Sequence, residues 1–352
     1  ITQFLKKVFG FRNLNLKLLG HYLVKCAKSH SYIETLGKHA DSLHAWIKSC
    51  YEVDIRREFE KQVRYSLKKL RVGIAELAFD VTYEPFYGTT RNMHIFNTEK
   101  NKKYRGEFHF ITCCLINQGK QIPLMALPVR FGEQTKLTID LLRYCSSLFK
   151  HIRYCLFDRG FYSAELIDFL EAKNINYLML IPEKKGRIKE YMQNTEDIGK
   201  YQHQMCYSKK KSRWKPKTQI TICKNINNLD WIFATNIQFD RAIDYILLYK
   251  RRWQIETNYR VEDEARIKSK SSHYLIRYFY FLIGLFLHLF WIIHKNTCYY
   301  VQFKKYIDVV ERKLLCDFFN EFISLSLDFS CFSLLFLTMG YRPSPLGRLE
   351  KS

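Results

Sequence analysis

Apolar and polar positions follow one pattern up to about residue 70 and another after it. In LHAWIKSCYEVDIRREFEKQVRYSLKKL, residues 43–70, apolar residues recur every three or four positions, which predicts amphipathic helices. From about residue 75 the apolar runs are short and separated by turn residues, as in AELAFDVTY and GEFHFITCCLI, and such runs predict β-strands. The chain is therefore predicted to place a helical region before a sheet.

The later pattern predicts a mixed sheet with helices packed on it. After the first two strands come the turn NQGKQ and the strand IPLMALPV, and a helix near residues 135–149 precedes the strand IRYCLFD. A second helix, with Ser163 as its N-cap, precedes the strand INYLMLIP. Antiparallel strands followed by parallel crossovers are typical of the α/β class, and in this order the first and fourth predicted strands can be neighbours.

Residues 181–217 differ from the strands on both sides of them. They contain 11 Lys and Arg against 4 Asp and Glu, and aromatic residues stand among the charges, as in KKKSRWKPK. Basic side chains neutralise phosphates and aromatic rings stack on exposed bases, so Lys184, Lys185 and Trp214 are predicted to contact DNA. A solvated, flexible loop fits the same composition equally well. The strand-like runs TQITIC and WIFATN follow, and a long helix is predicted from near Asp240.

The charge balance narrows the class of partner. Lys and Arg number 57 against 34 Asp and Glu, which gives a formal net charge of +23 and a sequence pI of about 9.5. Such an excess favours a polyanionic partner, although a lysine-rich proteome would give the same balance. Hydrophobic residues at 47% and aromatic residues at 16% exclude a generally disordered chain.

Three further features bear on where the chain works. Its 11 cysteines include no C-x-x-C pair, which argues against a zinc framework and favours reduced thiols inside a cell. The N-terminal sequence ITQFLKKVFG has neither an initiator Met nor a signal-peptide layout, so we expect a chain without its natural start. The apolar run of residues 278–293 is shorter than the ~20 residues that span a bilayer, and it predicts a buried helix rather than a membrane segment.

Three acids stand out against this background. Asp80 lies inside a predicted strand, where a charge is costly unless it is paired or bound to a metal ion. Asp158 ends the fourth predicted strand, and Glu256 lies on the predicted long helix. Each acid alone is more easily explained by structure, Asp158 for instance as a helix cap or a turn residue. If the fold brings the three together, their oxygens suit Mg²⁺ or Mn²⁺ and phosphodiester chemistry.

The predicted long helix adds a second signal. Tyr249, Arg252 and Glu256 are spaced i, i+3, i+7 and therefore share one helical face. A guanidinium can grip a phosphate bidentately and a phenol can hydrogen-bond or stack, so this face is predicted to handle phosphates. An ordinary core position for Tyr249 stays an alternative.

These residues resemble the DDE transposases of insertion-sequence family four. The residues that match are Asp80 of a D-x-T strand, Asp158 of a D-x-G-F segment, and Tyr249, Arg252 and Glu256 of the helix signature Y-x2-R-x3-E-x6-K. The resemblance covers about residues 75–295. It implies a ribonuclease H-like mixed β-sheet flanked by helices, with a β-rich insertion before the last acid.

The resemblance implies an enzyme that cuts DNA at the ends of a mobile element and joins the released 3′-hydroxyl to target DNA. The three acids would bind two Mg²⁺ or Mn²⁺ ions. Tyr249 and Arg252 would hold the DNA end near the scissile phosphate, and the neighbouring Arg251 and Arg260 are also predicted to bind DNA phosphates. A homodimer in the synaptic complex, no stable membrane association, and a nucleoid-associated place in a prokaryotic cytoplasm are expected with it.

The resemblance also divides the chain into regions. We expect a helical, basic N-terminal region at residues 1–72, either in contact with DNA or forming a solvated bundle. Residues 73–182 and 238–296 would form the catalytic domain, 183–237 its basic β-rich insertion, and 297–352 a C-terminal helical region.

One residue departs from the family signature. The lysine expected seven residues after the glutamate is Asp263, and an acid cannot replace a cationic phosphate contact. The nearby cations that could take over are Arg260, Arg266, Lys268 and Lys270. Two alternatives stay open: a catalytically decayed or repurposed DNA-binding protein of the same fold, and a small membrane protein built on residues 278–293.

Overall fold

The N-terminal part of the chain is helical, as its pattern predicts. The computed structural model describes residues 1–10, 16–98, 103–117, 121–182, 186–205, 215–226, 228–255, 264–297 and 302–326, with side chains up to residue 320. The first helices are α1 (Thr2–Phe9), α2 (Leu16–Ser29), α3 (Lys38–Lys48) and α4 (Glu52–Leu70). Arg71 ends α4 in the left-handed conformation, with φ of 52°, and its N–H bonds the carbonyls of Leu67 and Lys68.

A nine-stranded mixed sheet forms the centre of the molecule. Its strands are β1 (Ile74–Phe86), β2 (Ile95–Asn97), β3 (Gly106–Leu115), β4 (Ile122–Pro128), β5 (His151–Phe157), β6 (Tyr177–Leu180), β7 (Ile198–Gln204), β8 (Lys217–Ile226) and β9 (Leu229–Thr235). Their order is β2-β3-β1-β5-β6-β9-β8-β7, with β4 paired to β3. The predicted strands are all present. β2 and β7 escaped prediction because one has three residues and the other is a polar edge strand.

The remaining helices connect these strands or follow them. They are α5 (Gln134–Leu148), α6 (Ala164–Ala172), α7 (Arg187–Gln193), α8 (Ala242–Lys250), α9 (Tyr274–Thr297) and α10 (Phe303–Ser326). α5 and α6 are the crossovers that make β1, β5 and β6 parallel neighbours. The expected proximity of the first and fourth predicted strands, β1 and β5, is therefore confirmed. Strands β7 to β9 continue the same sheet through the antiparallel pairing of β9 with β6.

Alternate residues of β1 face two different apolar clusters. Leu77 and Phe79 belong to the larger cluster, which contains buried residues of α4, α5 and α9. Ala78 belongs to a smaller cluster on the other face, where Tyr245 and Ile246 of α8 cover the sheet. Because Asp80 follows Ala78 by two residues, α8 covers the face of β1 that carries Asp80.

The long apolar helix α9 lies inside the fold. Among the described residues, the segment Tyr274–Asn296 is long and apolar enough to cross a membrane, and 83% of its most apolar window is buried in the protein. Tyr278, one of its residues, donates a hydrogen bond of 2.9 Å to the carbonyl of Ala126 in β4. The prediction of a buried helix over residues 278–293 is therefore confirmed.

The helix predicted from near Asp240 is interrupted after Lys250, and the described residues are helical again from Trp253 to Ile255. α8 ends at Lys250, and Arg252 lies in the turn that follows. In that turn the N–H of Arg252 bonds the carbonyl of Tyr249 at 2.8 Å, and that of Ile255 bonds the carbonyl of Arg252 at 2.9 Å. Bonds to the third preceding residue tighten the backbone at Arg252, and because Glu256 lies outside the described residues, the predicted helical face of Tyr249, Arg252 and Glu256 stays a prediction.

Candidate active site

The sheet places Asp80 and Asp158 at corresponding positions of two neighbouring strands. Ala78 of β1 pairs with Leu156 of the parallel strand β5, and each acid stands two residues beyond its strand's member of that pair. Adjacent strands are ~4.8 Å apart, so the two carboxylates project side by side from neighbouring backbones. Two acids 78 positions apart in sequence thus meet through the strand register.

One turn at the end of α8 contacts both acids. The hydroxyl of Tyr249 donates to Oδ1 of Asp158 at 3.1 Å. Nη1 of Arg252 lies 3.6 Å from Oδ2 of Asp80. The Arg252 guanidinium also lies over the Tyr249 ring, with Cζ 5.6 Å from the ring centroid. The predicted grouping of these four residues is therefore present, although the helix itself ends before Arg252.

Burial shapes the protonation of this pair. Tyr249 and Arg252 are 2% and 5% exposed. Burial raises the pKa of Tyr249 above its usual value, so the phenol stays a neutral hydrogen-bond donor at neutral pH. Burial disfavours the charged form of Arg252, but Tyr249 and the two acids outweigh it, and the pKa of Arg252 rises above its ordinary value. The site therefore holds a buried positive charge between two carboxylates.

Asp158 is at once a cap and a member of this group. Its Oδ1 accepts from the N–H of Arg159 at 2.7 Å and caps the 3₁₀ turn Arg159–Phe161. Phe161 is 4% exposed and packs on Phe157 with ring centroids 5.7 Å apart, so the chain returns to the core immediately. The interpretation of Asp158 as a cap is confirmed, and its role as a site residue stays a prediction.

Gly160 contributes less to this turn than its position suggests. Its backbone does not adopt a left-handed conformation, and a Cβ there would meet Gln134 Nε2 at 3.7 Å, an ordinary contact. The sharp exit after β5 comes from the 3₁₀ turn and from the bond of 2.9 Å that Gln134 Nε2 donates to the Gly160 carbonyl.

Arg251 points to a different acid from its neighbour Arg252. Its guanidinium bonds Oε2 of Glu76 and the hydroxyl of Tyr154, and donates to the carbonyl of Ile116 at 3.2 Å. These contacts tie the end of α8 to β1 and β5. A DNA contact by Arg251 stays a prediction, and its guanidinium is already engaged inside the protein. The helix signature singles out Arg252, but it does not indicate that Arg251 turns to a different acid.

Several predicted residues lie outside the described part of the chain. They are Glu256, Arg260, Asp263, Lys184, Lys185 and Trp214. Their roles stay predictions. In the neighbouring described residues, Tyr201 of β7 stacks on Tyr191 of α7 with centroids 4.4 Å apart, so this ring of the basic insertion is used internally.

Comparison with known proteins identifies the family. The sequence model described as "Transposase DDE domain" matches residues 95–291, more than half of the chain. The chain therefore belongs to the DDE transposase family. Asp158, Tyr249 and Arg252 fall inside the match, whereas Asp80 precedes it, so the strand register is what associates Asp80 with the site.

A solved structure shares the fold. The chain is similar to a piggyBac transposase determined by cryo-electron microscopy as a synaptic complex with hairpin DNA. The match has 15% identity and a TM-score of 0.60, and it covers 89% of this chain and 74% of that one. The mixed sheet flanked by helices is therefore a transposase fold. No curated protein sequence matches the chain significantly.

Members of this family generally use divalent metal ions, and the described acids supply part of the ligands that such an ion needs. Asp80 and Asp158 supply carboxylate oxygens, the donors that Mg²⁺ and Mn²⁺ prefer. Oδ1 of each accepts a backbone N–H, which fixes the orientation of both carboxylates. Within the described residues, no group of three or more His, Cys, Asp or Glu side chains is placed to hold a metal ion, and Glu256 lies outside them.

Proposed function

We propose that the chain is a metal-dependent DNA transposase that cuts phosphodiesters at the ends of a mobile element and transfers the 3′-hydroxyl to target DNA. The observation that carries this proposal is the placement of Asp80 and Asp158 at corresponding positions of adjacent strands, with Tyr249 bonded to Asp158 and Arg252 beside Asp80. A buried cation beside two acids is an arrangement suited to a phosphate that approaches with its own negative charge.

Each described residue has a distinct task in this proposal. Asp80 and Asp158, together with Glu256, would hold two Mg²⁺ or Mn²⁺ ions. When bound, such ions lower the pKa of an attacking water or hydroxyl and neutralise the charge that develops on phosphorus oxygens. Tyr249 holds the Asp158 carboxylate in place through its hydroxyl, and Arg252 is the cation for the scissile phosphate. No Ser or Tyr nucleophile is required, because the reaction is a direct displacement at phosphorus.

DNA is the partner that the charge supports. The net charge of +23 favours a polyanion, and the similar piggyBac structure is itself a complex with DNA. We extend the proposal to element ends and target DNA as substrates, a homodimer in the synaptic complex, and a nucleoid-associated location in a prokaryotic cytoplasm. These finer points, and membership of insertion-sequence family four, rest on the resemblance of the sequence signatures.

The decisive experiment is a cleavage and strand-transfer assay. Inverted repeats that bracket the gene define the end substrate, and the reaction is run with Mg²⁺ or Mn²⁺ and with EDTA. We expect Asp80→Asn, Asp158→Asn and Glu256→Gln each to lower the rate on the order of 10³-fold, about 4 kcal/mol of transition-state stabilisation.

A matched control uses an acid far from the site. Asp140 on α5 is exposed and pairs with Arg143 at 2.8 Å, so Asp140→Asn makes the same chemical change outside the site. Its activity should equal that of the unmodified protein. Full activity of all three site variants would refute the assignment.

A second function has one observation in its favour. The Arg252 guanidinium lies 3.6 Å from Oδ2 of Asp80 and can neutralise that carboxylate without a metal ion, as a non-catalytic DNA-binding protein of this fold would require. Such a protein binds DNA equally in EDTA and in Mg²⁺, and shows no cleavage in either. Metal-dependent cleavage excludes it.

A further inference from the structure

A short extended segment between the candidate site and α9 presents a row of cations. Arg266, Lys268 and Lys270 alternate with Ile267 and Ser269, which are 2% and 3% exposed. Lys268 and Lys270 are exposed, and Arg266 is half-buried. Alternation of this kind places the three cations along one side, over a length on the order of 13 Å.

The row is fixed to the N-terminal region through its backbone. The N–H of Ile33 bonds the carbonyl of Lys268 at 2.9 Å, and the N–H of Lys268 bonds the carbonyl of Ser31 at 3.2 Å. Oε1 of Glu34 accepts from the hydroxyl of Ser269 at 2.7 Å and from the next backbone N–H at 2.6 Å. Because both sides of the segment are anchored, its cations are presented without a large ordering cost when a ligand binds.

A cavity of about 440 Å³ lies against this row. Its walls are Tyr32, the end of β1 from Glu84 to Gly88, the segment Arg266–Lys270, and Arg277. Tyr87 on the β1 side is 61% exposed.

The acid in this cavity is already neutralised. Oε1 of Glu84 lies 3.5 Å from Nη2 of Arg266, and Oε2 lies 3.5 Å from Nη1 of Arg277. Among the described residues, no carboxylate forms an ion pair with Lys268 or Lys270. Among the described residues that line it, the cavity therefore has two guanidiniums and two ammoniums against one carboxylate, a positive balance.

The strand β1 links this cavity to the acids of the candidate site. Glu84 follows Asp80 by four residues on the same face of β1, a separation on the order of 13 Å. The pairing of β1 with β3 is continuous between these two positions, so no bulge changes the face. Arg266 also donates to the carbonyl of Tyr83 at 3.2 Å, which holds the row beside the strand.

We propose that Arg266, Lys268 and Lys270 form a binding site for the sugar–phosphate backbone of one DNA strand, with part of that backbone in the adjacent cavity. The three cations, two residues apart from one to the next, can each contact one phosphate of a strand, about three phosphates in all. The contact is independent of base sequence because it uses charge alone. It is a row of several fixed cations rather than a single replacement for the lysine that Asp263 displaces. This binding site depends on the proposed function in one respect only, which is that its ligand is DNA.

Salt-dependent DNA binding by the full chain tests this site. Binding of a fluorescently labelled duplex of arbitrary sequence is measured by anisotropy in EDTA over a series of KCl concentrations. For the triple variant R266Q/K268Q/K270Q, we expect the slope of log K against log[KCl] to fall in magnitude by about 2.7, or 0.9 for each lost phosphate contact. The double variant K268Q/K270Q, which keeps the Arg266–Glu84 ion pair and so protects the fold, should fall by about 1.8.

The matched control removes the same charge elsewhere. Lys304, Lys305 and Lys313 are exposed on α10, and their triple Gln variant should keep the slope of the unmodified protein. Equal slopes for the row variants and this control would overturn the proposal. Because binding is measured without metal, the result is separate from cleavage: Asp80→Asn should lose cleavage and keep the slope.

Discussion

Two carboxylates on the same face of β1 each pair with an arginine, and the two arginines are consecutive in sequence. The two ion pairs differ in their exposure and in their surroundings. Glu76 pairs with Arg251, and Asp80, four residues along, pairs with Arg252. The Glu76 side chain is 6% exposed and that of Asp80 is 19% exposed. The first pair is enclosed within the protein, whereas Asp80 of the second pair lies in the middle of β1, beside Asp158 at the end of β5.

The two pairs differ in how fully the protein itself occupies the carboxylate. Both oxygens of Glu76 are used, Oε2 by Arg251 and Oε1 by Arg153 at 2.7 Å. A saturated, buried carboxylate anchors the end of α8 and leaves no room for a ligand. Asp80 keeps access to solvent and faces Asp158 across the strands, so a metal ion or a phosphate can reach it. The closed pair, Glu76–Arg251, therefore positions the turn after α8, and the next residue of that turn, Arg252, belongs to the open pair with Asp80.

The largest expected effect on stability is at the closed pair. Glu76→Gln leaves the Arg251 guanidinium without its anion in a mostly buried place, which should lower the free energy of unfolding by about 3 kcal/mol. Chemical denaturation monitored by circular dichroism measures this change. Arg153→Gln is the control, since its side chain is 57% exposed and its ion pair with Glu76 should contribute less than about 1 kcal/mol. Equal losses for both variants would show that Glu76 is not a buried anchor.

Metal binding should act on the open pair alone. With Mn²⁺ at about a hundred times its dissociation constant, we expect the unmodified protein to gain about 2.7 kcal/mol of stability, measured by thermal unfolding. Asp80→Asn and Asp158→Asn should lose this gain, whereas Glu76→Gln should keep it on a lower baseline. If Glu76→Gln removed the gain and Asp80→Asn did not, the roles of the two pairs would be reversed.

Low pH should destabilise the protein through His288, which belongs to neither ion pair. Burial within α9 lowers the pKa of His288 to about 3, from an unfolded value near 6.5. Below pH 6.5 the unfolded chain takes up a proton that the folded state refuses, so stability falls as the pH falls toward 3. At pH 5 this residue should cost about 2 kcal/mol relative to neutral pH.

The variant His288→Phe isolates that contribution. Its ring can occupy the space between Trp291 and Phe303, whose centroids each lie 5.6 Å from the histidine ring. Denaturant unfolding between pH 7 and 5 should show a shallower loss for this variant. A profile flattened instead by Glu76→Gln would place the acid-sensitive group in the closed pair.

The smallest effect concerns the phenol that orients Asp158. Tyr249→Phe removes one hydrogen bond of 3.1 Å and should cost about 1 kcal/mol, roughly a five-fold loss of cleavage rate, with the metal-induced stabilisation reduced. Tyr245→Phe is the control one turn away on α8: its hydroxyl accepts from the N–H of Phe239 at 2.9 Å and has no contact with either acid. That variant should lose stability and keep its rate. The same rate loss in both would mean that Tyr249 acts through packing alone.

Much of this arrangement could be predicted from local sequence. The strands around Asp80 and Asp158, the cap at Ser163, and the buried helix at residues 278–293 all follow from patterns within a few residues. The neighbourhood of the first and fourth predicted strands followed from element order, because a helical crossover returns the chain in parallel. Asp158 stood out through a local pattern, because it is an acid at the end of an apolar strand.

The rest needed the tertiary structure. The helix signature selects Arg252 over Arg251, but no local pattern tells which acid each arginine contacts, and the two turn to different acids. The early end of α8 at Lys250 likewise depends on what the following turn contacts.

The sequence by itself determined which segments are helices and strands, because apolar periodicity and capping act over one or two turns of chain. It also marked the acids and the excess of basic residues. Only the tertiary structure decided that Asp80 and Asp158 lie at corresponding positions of adjacent strands, and that Glu76 is enclosed whereas Asp80 is partly exposed. It also decided that Arg266, Lys268 and Lys270 line a cavity against the end of β1. Those outcomes depend on strand register and on packing between segments distant in sequence, where burial, rather than residue type, separates the enclosed ion pair from the more exposed one.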